Sequence, residues 1–151
     1  MKVVITDDRL TPEMIGYKTE GSAGIDLYAL PNNVTADNTI YYGYNQVFST
    51  GLKVEIPKGH VGLIFPRSSV GFSGVRLVNS VGVIDSDYRG EIKLGLTSWM
   101  PKSSMIKEPT RMAQLVILPI NKVEIEIVEK LEETERGENG FGSTGNNWFY
   151  I

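Results

Sequence analysis

The chain has 151 residues, 41% of them hydrophobic and 22% charged, with a formal net charge of −3. That length fits one domain with one core, and the acidic balance excludes a global basic field for DNA or RNA. With no cysteine and a single histidine, disulfides, thiolate nucleophiles, cysteine metal sites and histidine-rich zinc centres are excluded, and a Ser-His-Asp triad could use only His60. The opening MKVVITDDRL lacks an apolar stretch of signal-peptide length, and no run approaches the roughly 18 apolar residues of a membrane span. A cytoplasmic protein that engages neither nucleic acid nor membrane is expected.

In chain order the elements are short and β-like. Lys2–Ile5 opens the series, Gly24–Leu30 follows, and a polar stretch covers Pro31–Asn38. Val47-Phe48, Leu52–Ile56, Val61–Phe65, Val75–Val78, Glu91–Thr97 and Leu115–Pro119 read as further strands. Val123–Val128 alternates apolar and acidic residues, the period of a strand with one wet face. Turn signals recur at Pro57-Lys58-Gly59, Asp87-Tyr88-Arg89-Gly90 and Met100-Pro101-Lys102. This spacing predicts an all-β sandwich or barrel. Helical signals are limited to a turn over Ser68–Gly74 and one turn around Arg111 within Pro109–Ala113, too short for a βαβ crossover. The predicted domain is residues 1–131. Residues 132–151, rich in Glu and then in Gly, Ser and Asn, form a mobile tail. A frayed, solvated terminus is the plain reading, but Phe141 and Trp148-Phe149-Tyr150 are costly in such a tail, so one that docks stands at least level with it.

Two segments carry most of the chemistry. Gly82 to Glu91 reads as a tight hairpin offering a carboxylate, Asp85, and a phenol, Tyr88. Asp85 at a strand end could orient a water and accept its proton, or could simply cap the turn. Arg136 to Gly145 is a glycine-rich strip with one cation, one ring and two hydroxyls. Its Gly137, Gly142 and Thr144 fall on the spacing of a P-loop, but Ser143 stands in place of the lysine and too few residues follow for the helix. Glycines there still let backbone N–H groups approach phosphate oxygens. Asp85-Ser86-Asp87 resembles the start of an EF-hand, yet Arg89 and Leu96 stand at the fifth and twelfth positions. Arg67-Ser68-Ser69 after an apolar strand aims a guanidinium and hydroxyls at an anion, or caps a turn. Arg111 and Gln114 either satisfy backbone groups or line a site. Together these residues suit a phosphorylated aromatic small molecule.

Five segments in order, Ala23–Ala29, Pro66–Ser69, Asn79–Gly90, Arg111–Leu115 and Arg136–Gly145, make the chain resemble the trimeric all-β dUTPases (deoxyuridine triphosphate nucleotidohydrolases). The resemblance implies a distorted jelly-roll or β-barrel subunit with a flexible glycine-rich C-terminal tail, assembled as a homotrimer with active sites at subunit interfaces. It implies Mg²⁺-assisted hydrolysis of dUTP to dUMP and pyrophosphate, which limits uracil in DNA and supplies dUMP for dTMP synthesis. Asn79 would read the uracil edge together with backbone groups of Gly82, Val83 and Ile84. Tyr88 would pack on the deoxyribose and exclude a 2′-hydroxyl, and Asp85 would activate the water that attacks the α-phosphorus. Arg67, Ser68, Ser69 and Gln114 would contact the phosphates, with Lys93 lining the site. Mg²⁺ would be held mainly by phosphates and waters, with Asp26 beside those waters or holding the site's architecture. The tail would close over a neighbour's site, Phe141 covering the base while Arg136, Ser143 and Thr144 clasp the γ-phosphate, with Gly142 also among the substrate contacts. Residues 38–46 form a longer, aromatic loop than the family's, and Ser69 is a form also found in dCTP deaminases of the same fold. A deaminase and a regulatory binding protein are the competing expectations.

Overall fold

The structure is a computed structural model and describes residues 1–32, 37–101 and 104–140. Its strands are β1 (Lys2–Ile5), β2 (Gly24–Ala29), β3 (Thr39–Ile40), β4 (Gln46–Glu55) and β5 (His60–Pro66), then β6 (Val75–Leu77), β7 (Gly82–Ile84), β8 (Glu91–Ser98), β9 (Ser104–Met105) and β10 (Thr110–Pro119). A short helix, α1 (Ser68–Phe72), and a 3-10 turn at Pro12–Met14 complete the regular structure. Two four-stranded sheets run β1-β4-β8-β6 and β2-β10-β5-β7, and β3 pairs with β9. Every pairing between these strands is antiparallel. The all-β expectation therefore holds.

Side-chain alternation explains the packing. Ile92, Leu94 and Leu96 of β8 point inward while Lys93 faces water. One apolar core draws on both sheets, with Leu27, Ala29, Ile64 and Leu115 on one side and Phe48, Leu52, Leu94 and Leu96 on the other. Burying each of the larger side chains contributes about 1.5–3 kcal/mol, which is what holds the sheets together.

Several boundaries differ from expectation. The two pieces Val47-Phe48 and Leu52–Ile56 belong to a single strand, β4, with an irregularity between Ser49 and Lys53. There Gly51 takes φ +65°, and a Cβ would sit 2.9 Å from the Asp7 Cβ, so the bend requires glycine. The Glu91 carboxylate stitches this bend by accepting from the Gly51 N–H at 2.8 Å and from the Ser49 hydroxyl. The helical turn expected over Pro109–Ala113 does not form. Those residues already pair with β2, so cross-strand partners override a weak local signal. Ser68–Gly74 is more ordered than a turn, because α1 fills most of it. The alternating Val123–Val128 is not in a sheet: Val123, Ile125 and Ile127 are 80%, 89% and 95% exposed. Its pattern fits a partner strand that the described residues do not supply.

Candidate active site

The first cleft, of 310 Å³, opens where β2, β10 and the end of β5 meet. Asp26 lies on the face of β2 opposite the core residues Ile25 and Leu27, and pairs across the ladder with Gln114. Arg111 reaches the same face through a bulge. The register passes from Arg111↔Tyr28 to Ala113↔Leu27, leaving Met112 as an extra, buried residue. Without that insertion, Arg111 and Gln114, three apart, would point to opposite faces. The bulge also receives Arg67, whose backbone N–H donates to the Met112 carbonyl at 3.1 Å just beyond the end of β5.

The Asp26 carboxylate holds both guanidiniums. Arg67 Nε is 3.3 Å from Oδ1 and Arg111 donates to Oδ2 at 3.2 Å. Lys18, Ser22, Gly24, Ser68 and Gln114 complete the lining. Lys18 is held by the carbonyls of Glu13 and Met14, at 3.1 and 2.9 Å. Gly24 makes room for Gln114, since a Cβ there would lie 2.9 Å from the Gln114 side-chain oxygen. Three cations face one carboxylate, so the cleft is matched to a polyanion.

The second cleft, of 290 Å³, is formed by Val83, Ile84, Asp85, Tyr88, Glu91, Ile92 and Lys93. The hairpin expected here is a link between the two sheets, since β7 pairs with β5 while β8 pairs with β4 and β6; its turn is closed by the Tyr88 N–H donating to the Asp85 carbonyl at 3.1 Å. Arg89 braces it, donating to the Ser86 and Tyr88 carbonyls at 2.8 and 2.9 Å. The Tyr88 ring folds back over Gly90, and its hydroxyl donates to the Glu91 carbonyl at 3.0 Å. A Cβ on Gly90 would stand only 2.3 Å from that hydroxyl oxygen. Asp85 itself is exposed at the turn. The outer edge of β7 has no strand paired to it among the described residues, leaving backbone donors and acceptors for a ligand.

The two clefts share no lining residue. On the β5–β7 ladder Ile84 sits opposite Gly62, so Asp85 lies beyond that point, while Arg67 follows Pro66 at the other end of β5. The five steps from Gly62 to Arg67 span roughly 17 Å at about 3.3 Å each. One chain thus presents an anion cleft and a carboxylate-bearing hairpin at opposite ends of one sheet.

Of the expected residues, Arg67, Ser68 and Gln114 meet in the first cleft beside Asp26, and Val83, Ile84, Asp85, Tyr88 and Lys93 meet in the second. Gly82 packs against Ile64 under the hairpin. Asn79 and Ser69 are exposed and line neither cleft. Arg136 turns locally, donating from Nε to the Asn139 carbonyl at 3.0 Å. Phe141, Gly142, Ser143 and Thr144 lie outside the described residues. Lys18 and Ser22 were not anticipated. Nothing local marks Lys18, which reaches the cleft only through the fold, whereas the cation of Arg111 just before a buried strand was a usable signal.

The dUTPase family model matches residues 11–145. The chain is 45% identical over 147 residues to the deoxyuridine 5′-triphosphate nucleotidohydrolase of Corynebacterium glutamicum, covering 96% of this chain and 94% of that protein. It is 42% identical over 149 residues to the enzyme of the same name from Escherichia phage T5, covering 97% and 99%. Among solved structures, a mutant dUTPase of Staphylococcus bacteriophage 80alpha with dUpNHpp superposes with a TM-score of 0.80 at 25% identity, over 96% of this chain and 98% of that one. A mutant dUTPase of phage phi11, described with a structural Mg(II) ion, shares the fold with a TM-score of 0.69 at 21% identity, over 85% and 96%.

Proposed function

The chain belongs to the dUTPase family, whose activity is hydrolysis of dUTP to dUMP, and from that premise we propose how its own residues divide the work. The triphosphate lies in the cationic cleft on Arg67, Arg111, Lys18, Ser68 and Gln114. The nucleoside lies on the hairpin, with the uracil edge against the outer, unpaired edge of Gly82, Val83 and Ile84 and the sugar against Tyr88. Uracil offers a donor at N3 and an acceptor at O4, whereas cytosine reverses both, so a fixed backbone edge discriminates between them. Asn79, at the turn before β7, completes that edge.

Asp85 orients a water and takes its proton as the water oxygen bonds to the α-phosphorus. The bond from the α-phosphorus to the bridging oxygen breaks, and pyrophosphate leaves with that electron pair. The cleft's cations hold the leaving charge, and positioning supplies most of the acceleration. Mg²⁺ would be carried mainly on substrate phosphates and waters, with Asp26 beside those waters, and would supply charge neutralisation to the phosphates.

The observation that carries this reading is the separation of the two clefts. A hairpin roughly 17 Å along the strand from the cations serves the same phosphorus only if a second copy brings its hairpin to this chain's cleft. A closed ring of copies, the homotrimer, satisfies every cleft and every hairpin at once. The tail from residue 132 onward then closes over the assembled site, with Arg136, Ser143 and Thr144 on the γ-phosphate and Phe141 and Gly142 over the base.

The test is pyrophosphate and ammonia release from dUTP, dCTP, dTTP and UTP with Mg²⁺, for the unaltered chain and for Asp85→Asn. Pyrophosphate from dUTP alone is expected, with kcat falling about 10²–10⁴-fold in the variant, the usual worth of a general base. Ammonia from dCTP would assign the site to deamination. Full activity of Asp85→Asn would remove Asp85 from the reaction.

A further inference from the structure

Asn139 is the only asparagine of the chain that is followed by glycine. Asparagine is among the thermolabile side chains. Its carboxamide lies within reach of the next residue's backbone nitrogen, and a five-membered ring closes when that nitrogen attacks. A side chain on the following residue hinders the closure, and glycine has none.

The structure separates Asn139 from the nearest competitor, Asn79, which precedes a small serine. The Ser80 N–H donates to the Leu77 carbonyl at 3.2 Å, so the nitrogen that would attack Asn79 is committed to a turn. The Gly140 N–H has no hydrogen-bond partner among the described residues. Apart from its chain neighbours, nothing lies within 4 Å of where a Cβ on Gly140 would stand. Asn139 and Gly140 are both exposed, so water and hydroxide reach them.

Arg136 sharpens this reactivity. The Asn139 N–H donates to the Arg136 carbonyl at 3.2 Å, and Arg136 Nε donates back to the Asn139 carbonyl at 3.0 Å. A guanidinium on a carbonyl oxygen draws electron density from that peptide unit, and the nitrogen of the unit belongs to Gly140. The N–H becomes more acidic, and its anion is the form that attacks.

We propose that Asn139-Gly140 is a self-modification site, where Arg136 activates the Gly140 nitrogen to displace ammonia from the Asn139 side chain. The Gly140 nitrogen gives its proton to hydroxide and bonds to the side-chain carbonyl carbon. The bond from that carbon to the side-chain nitrogen breaks, and ammonia leaves with a proton taken from water. Water then adds to either carbonyl of the ring and breaks its bond to the ring nitrogen, leaving an aspartate or an isoaspartate. Only water is consumed, and nothing is oxidised. Resting on the reading that Arg136 clasps the γ-phosphate, the change is a timer on activity. The new carboxylate arises on the turn that holds Arg136 and competes with phosphate for its guanidinium. The isoaspartate form also lengthens the main chain by one methylene.

The test stores the full-length protein in warm, mildly alkaline buffer and follows its peptides by mass, then measures KM for dUTP. The peptide holding Asn139 should exchange NH₂ for OH before the one holding Asn79, and faster as pH rises. Asn139→Gln, whose ring would be six-membered and slow to close, should stay unmodified and keep its KM. Arg136→Gln should slow the exchange, because the Asn139 carbonyl loses its cation. KM of the aged, unaltered chain should rise about fivefold, the scale of one exposed ion pair. Exchange at Asn79 first, or none at Asn139 while a free peptide of the same sequence reacts, would overturn the site. Equal rates with and without Arg136 would overturn its activating role. Exchange at Asn139 with an unchanged KM would keep the modification site and overturn the clasp of Arg136 on phosphate.

Discussion

Gly90 is where backbone and chemistry meet most closely. The Tyr88 ring occupies the space above it, anchored by its bond to the Glu91 carbonyl. Gly90→Ala forces the ring outward, because the new methyl would stand 2.3 Å from the hydroxyl oxygen. The fold should survive, while the wall against the sugar moves. KM for dUTP should rise about tenfold, equivalent to about 1.4 kcal/mol, and preference for dUTP over UTP should shrink. Unchanged discrimination in a dUTP/UTP comparison would show that Tyr88 does not police the sugar. Asp26 works differently, since it holds Arg67 and Arg111 in place without needing to touch the phosphates.

At the scale of elements, two irregular strands build the site. The bulge at Met112 turns Arg111 toward Asp26, and the bend at Gly51 is held by Glu91. Glu91→Ala would strip the partner from a partly buried N–H, so a loss of about 1–3 kcal/mol is expected. A lower urea midpoint with an unchanged m-value would report it; an unchanged midpoint would mean that the carboxylate does not support the bend. These irregularities also explain which elements were legible. Regular alternation in β2 and β8, and the turn at Asp87–Gly90, could be read directly, but that turn links two sheets where the sequence suggested a paired hairpin. The start of β10 and the continuity of β4 could not, because a bulge breaks the period of two that reveals a strand. Arg111 was visible as a candidate, but its direction depended on one inserted residue.

For the whole molecule, the motifs were legible residue by residue, whereas a site between subunits followed from the resemblance alone. Spacing along the chain groups Arg67, Asp85 and Gln114 on neighbouring segments, yet antiparallel pairing of β5 with β7 sends Arg67 and Asp85 to opposite ends of the sheet. Val123–Val128 tells the same story, having a strand's pattern without a partner strand among the described residues. In the proposed ring, another copy of the chain would complete both features. No helix among the described residues is long and apolar enough to cross a membrane.

Subunit complementation tests the shared site most directly. Chains carrying Asp85→Asn keep an intact phosphate cleft, and chains carrying Arg67→Gln keep an intact hairpin; each alone should be nearly inactive toward dUTP. Co-expressed in equal amounts, random assembly joins a good hairpin to a good cleft in about a quarter of the sites. The account predicts that the mixture regains about a quarter of the native rate of pyrophosphate release. Activity no higher than that of the separate variants, in verified mixed assemblies, would contradict it and return both halves of the site to a single chain.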